Sequence, residues 1–267
     1  MSGSVERVIF LPGIIMPCAL RYAALLRELD GEVDALTKDL EVYAGSTTPP
    51  PGFSIDTEVE GIGRAADAAG FERFHLYGHS GGGAATLAYV AAHPDRVLSL
   101  AVDEPASAFV DNEASREYWP QIDRARALPE AERMREFLRL QLAPGVAPPP
   151  PPDGPPPLWM ATRPAGVAAY AAALQEHRVD ESRYREFSPP VYFSHGSLSH
   201  PVWAAMRVTL AGLFPCYTAE LYSGLHHLRT SHQAEPARVA AALRRHWAWA
   251  AEQERALGQT LGAVRSS

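Results

Sequence analysis

Seven residues constrain this chain more than any others. Tyr77-Gly78-His79-Ser80-Gly81-Gly82-Gly83 follows a short apolar run, 73–77, and precedes a small-residue helical pattern, 81–92. A serine held between glycines, after a strand and before a helix, fits G-x-S-x-G in the context that motif requires. The reason is steric. Such a turn is sharp and strained, and the residues two before and two after it must be small for strand and helix to approach each other. Gly78 and Gly82 meet that demand, and Gly81 and Gly83 give further room. The start of the helix adds N–H donors and a positive dipole end. A phosphate-binding loop fits worse. No Lys-Ser/Thr pair follows the glycines, and the spacing is not G-x-G-x-x-G.

The rest of the chain repeats this rhythm. Short runs at 7–11, 32–37, 73–77, 97–102, 190–195 and 217–222 read as strands. Helical patterns at 17–29, 54–69, 81–92, 201–213 and 236–257 lie between or after them. In 17–29 the period places Leu20, Ala23, Ala24, Leu26 and Leu29 together. Ser54, Asp56 and Glu58 mark the start of the second helix. Strand and helix alternating at this spacing predict an α/β fold with a mostly parallel central sheet and helices on both faces. Between 107 and 187 the rhythm breaks into helical patches at 113–127, 129–142 and 164–177. The same segment holds a proline tract. Of 24 prolines in 267 residues, nine fall within 144–157 and three at 49–51. Polyproline donates no backbone hydrogen bonds, so the tract is expected to be a stiff, extended connector.

Composition excludes several classes. Charged residues are 21% and apolar residues 46%, which is ordinary for a globular chain. The net charge of −7, with no basic run, argues against a nucleic-acid or anionic-membrane partner. No apolar run approaches the ~20 residues of a membrane span. The N-terminus has no basic-then-apolar leader pattern. Cys18 and Cys216 are too few for a disulfide framework and read as free thiols in a reducing compartment. A soluble, cytoplasmic protein is the expectation. The sequence sets no oligomeric state.

Phe10-Leu11-Pro12-Gly13, the Ser80 turn, the strands at 97–102 and 190–195, and histidines just before the C-terminal helix together resemble the α/β-hydrolase superfamily. The likeness is to single-domain serine hydrolases with a helical cap, esterase-like, with a dehalogenase-like placement of the acid. It implies an α/β-hydrolase core of residues 1–106 and 188–267, and a helical cap inserted between two strands over 107–187, with the connector at 143–157. It also implies that Ser80 is the nucleophile. The backbone N–H groups of Ile14 and Gly81 would form the oxyanion hole. Pro12 stands where such enzymes usually have histidine, which removes a bracing side chain but no donor. Ile15, Met16 and His79 are expected beside the substrate.

The same likeness orders the triad as serine, acid, histidine. The loop 223–235 holds His226, His227 and His232. His227 fits the offset to the helix start best, with His226 and His232 as alternatives. His75 and His93 read as structural, and His246 as facing solvent or packing on the C-terminal helix. The usual acid position is Ser199, in Gly196-Ser197-Leu198-Ser199. A serine cannot stabilise imidazolium by charge. The other known placement is the end of the preceding strand, where Asp103 and Glu104 stand, and Glu104 is the candidate, with Asp103 behind it. A metal cluster of His195, His200, His226, His227 and His232 has no supporting H-x-x-x-H pair, so neither metal nor cofactor is expected. Tyr118, Trp119, Trp159, Met160 and Tyr170 offer an apolar roof, Trp119, Trp159 and Met160 being the substrate-binding candidates. The expected partner is a small molecule: a medium-sized, mainly apolar ester, thioester, lactone or amide. The alternatives are a lyase, cyclase or isomerase on the same fold, or a ligand-binding module without turnover.

Overall fold

Period-two alternation builds the centre of the molecule. In strand β1 (Glu6–Leu11), Ile9 and Leu11 point to one face of the sheet, and Val8 and Phe10 to the other. The computed structural model describes residues 5–106, 108–150 and 154–265. Five more strands are β2 (Val33–Thr37), β3 (Phe74–His79), β4 (Val97–Asp103), β5 (Val191–Gly196) and β6 (Tyr217–Tyr222). They form one parallel sheet in the order β2-β1-β3-β4-β5-β6. Its central strands are apolar on both faces, as a sheet covered by helices on both sides must be.

Helices α1 (Cys18–Glu28) and α10 (Pro236–Arg265) cover the Val8 and Phe10 face, with Tyr77, Ala101 and Tyr192 in the same core. Helices α2 (Ile55–Ala68), α3 (Ser80–Ala92) and α8 (Val202–Leu213) cover the other face. Between β4 and β5 lie α4 (Glu113–Arg126), α5 (Glu130–Arg139), α6 (Arg163–Glu176) and α7 (Ser182–Glu186), with a 3₁₀ turn at Leu158–Thr162. A four-residue helix, α9 (Ser231–Ala234), precedes α10. Among the described residues no helix is long and apolar enough to cross a membrane.

Two local readings need correction, at α1 and at the end of α10. The buried stripe of α1 is Cys18, Tyr22 and Leu25, continued by Leu29, and Leu20 is 56% exposed on the opposite side. The spacing i, i+4, i+7 and i+11 selects that stripe, and Leu20 falls off it. At the start of α2, Ser54 is the N-cap as expected, in a reciprocal capping box with Thr57, and Asp56 and Glu58 lie in the first turn. Glu58 turns inward, fully buried, and accepts the backbone N–H groups of Glu41 and Val42. Burial pushes its carboxyl up to about 7. Finally, α10 runs eight residues past the expected end at 257, through Gly258 and Gly262, each of which weakens a helix by only about 1 kcal/mol.

Candidate active site

The glycines of the turn bring β3 and α3 into direct contact. A Cβ on Gly78 would lie 2.7 Å from the Gly82 carbonyl oxygen and from Gly83 Cα. One on Gly82 would collide with the Pro12 carbonyl oxygen and Leu11, and the Gly82 N–H donates to that same oxygen at 3.0 Å. Squeezed between them, Ser80 adopts φ +52°, in the left-handed region. A non-glycine residue there costs about 1 kcal/mol or more, which concentrates such residues at functional sites. Glu104, one residue beyond the end of neighbouring β4, sits at φ +48°. Two strained residues thus stand side by side at the carboxyl ends of adjacent parallel strands, where open α/β sheets bind ligands.

His227, on the loop before α9, bridges them. Its Nε2 lies 2.9 Å from Ser80 Oγ and its Nδ1 2.7 Å from Glu104 Oε2. All three side chains are buried. The other oxygen of Glu104, Oε1, accepts the Gly196 N–H at 2.7 Å and the Ser199 hydroxyl. Ser199 therefore holds the Glu104 carboxylate from the side opposite His227 by its hydroxyl. The loop carrying Ser199 is pinned in turn. The His200 N–H donates to the Gln141 carbonyl at 3.1 Å, and the Ala143 N–H to the Leu198 carbonyl at 2.9 Å.

The alternatives are otherwise engaged. Asp103 accepts from Ser194 Oγ at 2.8 Å and Ser231 Oγ at 3.2 Å, and its Oδ2 lies 3.1 Å from His232 Nδ1. His232 is fully buried, its other nitrogen 2.9 Å from Thr230 Oγ1. Burial depresses its basicity, opposed by Asp103. His226 Nδ1 accepts the N–H groups of Leu228 and Arg229 and so closes its own turn.

His79, expected beside the substrate, is buried next to His227 and His232. Its ring lies 4.7 Å from that of His227 and 5.2 Å from that of His232, and neither nitrogen has a hydrogen-bond partner. The ring also lies against the loop after β1, where a Cβ on Gly13 would meet His79 Nδ1 at 2.7 Å. Burial, then the neighbouring His227, holds the His79 imidazole far below its ordinary range, so it stays neutral.

Ile14 lies directly against Gly81, because a Cβ there would collide with the Ile14 side chain. Two side chains from α6 fasten this corner: Tyr170, expected in the roof, and Arg163, which the sequence reading did not single out. Tyr170 donates its hydroxyl to the Gly81 carbonyl at 2.8 Å, and Arg163 donates Nε–H to the Ile15 carbonyl at 2.6 Å. Ile15 and Met16 are half-buried, with Met16 Sδ accepting from Gln233 at 3.7 Å. Trp119 borders a small apolar void with Pro105, Ala106, Tyr118, Trp203 and Met206. Trp159 and Met160 are half-buried on the 3₁₀ turn, and Trp159 faces the Arg163 guanidinium at 5.2 Å. Trp203, whose indole stacks on His227, was not singled out because it reads as one more core residue of α8.

Among the described residues, His79, Glu104 and His227 are the group whose potential metal-ligand atoms converge, within 4.8 Å of one another. Both nitrogens of His227 already face Ser80 and Glu104, so a metal there would replace those contacts. The five histidines of the sequence cluster are not gathered.

A serine hydroxyl, an imidazole and a buried carboxylate in line, at the carboxyl edge of this sheet, define a hydrolase class. The chain belongs to the alpha/beta hydrolase fold family, whose model matches residues 6–228. Its sequence is similar to a fluoroacetate dehalogenase of a Burkholderia species, 34% identical over 129 residues. That match spans 45% of this chain and 42% of the dehalogenase, so less than half of that relative's length is covered. The fold is similar to a thermophilic esterase from Thermogutta terrifontis, with TM-score 0.67, 19% identity, and 91% and 89% of the two chains covered. It is also similar to an enol-lactonase from Burkholderia xenovorans, with TM-score 0.67, 14% identity, and coverage of 91% and 92%.

Proposed function

We propose that the protein is a serine hydrolase that cleaves a medium-sized, mainly apolar carboxylic ester, or a related thioester, lactone or amide. The observation that carries this reading is the line Ser80 Oγ, His227, Glu104, closed at 2.9 and 2.7 Å. Ser80 attacks the acyl carbonyl while His227 Nε2 takes its proton. Glu104 fixes the imidazole orientation and stabilises the imidazolium. The N–H groups of Ile14 and Gly81 receive the oxyanion, helped by the positive end of α3. His227 then protonates the leaving group. Water, activated by the same histidine, releases the acyl group.

The chemistry of the nucleophile favours acyl transfer over halide displacement, despite the dehalogenase likeness. Displacing a halide with Ser80 would leave an ether, which has no carbonyl for water to attack. Acylating Ser80 leaves an ester, which water can cleave. The insert of α4 to α7 acts as a cap, as its anchors Arg163 and Tyr170 at the oxyanion corner support. Its aromatic and aliphatic side chains, Trp119 among them, favour an apolar substrate. Two free thiols, Cys18 and Cys216, fit a cytoplasmic location.

The test is a panel of p-nitrophenyl esters of graded chain length. Wild type hydrolyses them. Ser80→Ala abolishes turnover, and Glu104→Gln lowers kcat on the order of 10³–10⁴-fold. Full activity in either variant would overturn the assignment.

A further inference from the structure

The imidazole of His227 is sandwiched. On one face lies His79, tilted by 35° at 4.7 Å. On the other lies the indole of Trp203, nearly parallel, with ring centroids 4.2 Å apart and planes 13° apart. Trp203 is buried, on the first turns of α8, and its own ring is braced by Tyr118 of α4 at 6.1 Å. Tyr118, Ile122, Leu140, Ala171 and Val202 form a separate apolar cluster around it, so the insert and α8 together fix the position of the indole.

We propose that Trp203 is a positioning residue for the base: its indole face holds the ring plane of His227 and stabilises the imidazolium that forms when the proton moves from Ser80 Oγ to Nε2. An indole presents negative potential on its face and attracts a cation stacked there. The proton passes from Ser80 to His227 and then to the leaving group, so the stack acts while the charge exists.

Among the described residues, the titratable groups near His227 meet it elsewhere than on this face. Glu104 meets His227 in the ring plane, at Nδ1. His79, on the opposite face, is held neutral by burial and by the charge environment of His227 and Arg21. His226 lies beside it on the same loop, with its basicity depressed by burial. His195 of β5, also depressed by burial, senses Glu104. His200, likewise depressed, packs on Tyr118 behind the indole. The Asp103–His232 pair lies beyond His79. None of these places a cation or an anion on the Trp203 side of the ring.

The proposal rests on the reading of Ser80 and His227 as nucleophile and base, and its test separates the two. The probe is the NMR titration of the His227 ring, which needs no turnover, in wild type, Trp203→Leu and Trp203→Phe. Trp203→Leu moves the midpoint to lower pH by roughly half a unit to one unit, and Trp203→Phe recovers part of that shift. In the ester assay Trp203→Leu lowers kcat about 5-fold, a larger effect than on KM. Site-specific replacement of Trp203 by mono-, di- and trifluorotryptophan guards against misfolding, because fluorination weakens the face potential at nearly constant shape. The midpoint falls stepwise with fluorine number. A midpoint that stays constant across the fluorinated series, or Phe and Leu variants that titrate alike, overturns the proposal. Inactivity of wild type on every ester, with the stepwise titration intact, would instead sink the hydrolase reading and leave the stack standing.

Discussion

At the residue scale, the acid is the point of greatest interest. Glu104 is bound on both oxygens, by His227 on one and by Gly196 and Ser199 on the other. A hydrogen bond to a charged carboxylate contributes about 1.5–3 kcal/mol. Ser199→Ala should therefore cost roughly 10-fold in kcat, read in the ester assay, with KM little changed. Position 199 also lies beside the space the carboxylate fills. In a Glu104→Gly background, Ser199→Asp should restore at least part of the lost kcat, and Ser199→Asn should not. Equal activity of the two double variants would show that the loop cannot present an acid to His227. Glu104 was legible through the family resemblance, which offers an acid position at the end of the preceding strand, 24 residues after the serine. Ser199 was legible only as a missing aspartate. Its role as a donor depends on a contact 95 residues apart along the chain, and no local pattern carries that.

At the element scale, the strand–turn–helix unit dominates. Gly78→Ala would push a methyl group to 2.7 Å from backbone atoms of Gly82 and Gly83, which cannot yield as a flexible side chain would. The substitution should lower Tm by several degrees and reduce activity sharply. Gly63, inside α2, is the control. A Cβ there meets nothing within 4 Å, so Gly63→Ala should stabilise by about 0.5–1 kcal/mol, measured by denaturant unfolding. Loss of stability at position 63, or none at position 78, would contradict the packing described. Strands and helices of the sheet were readable because period-two and 3.6-residue patterns reflect which face meets the core. Errors arose where burial did not follow hydrophobicity. Glu58 goes inward because two backbone N–H groups and the Lys38 ammonium await it, while Leu20 goes outward despite its side chain.

At the scale of the whole molecule, buried imidazoles set the response to acid. His246 of α10 is packed under the sheet, 4% exposed, and burial holds it down to about 3 against an ordinary 6.5. The folded chain therefore takes up this proton later than the unfolded chain does. Stability is fully present above pH ~6.5 and is lost as pH falls from there toward 3. His79 and His232, both depressed by burial, push in the same direction. Tm should fall steeply below pH 6.5, and His246→Leu should flatten that fall. An unchanged slope in His246→Leu would show that the imidazole titrates alike in both states. The proposed catalytic line joins β3, β4 and a loop near the C-terminus, and the most direct test of it is covalent. A fluorophosphonate should label the folded wild-type protein once, at Ser80 by peptide mass mapping, with labelling lost in Ser80→Ala and slowed at least 100-fold in His227→Gln. Absence of label on folded wild type, or equal labelling rates in His227→Gln, would contradict the assignment of Ser80 and His227 as nucleophile and base.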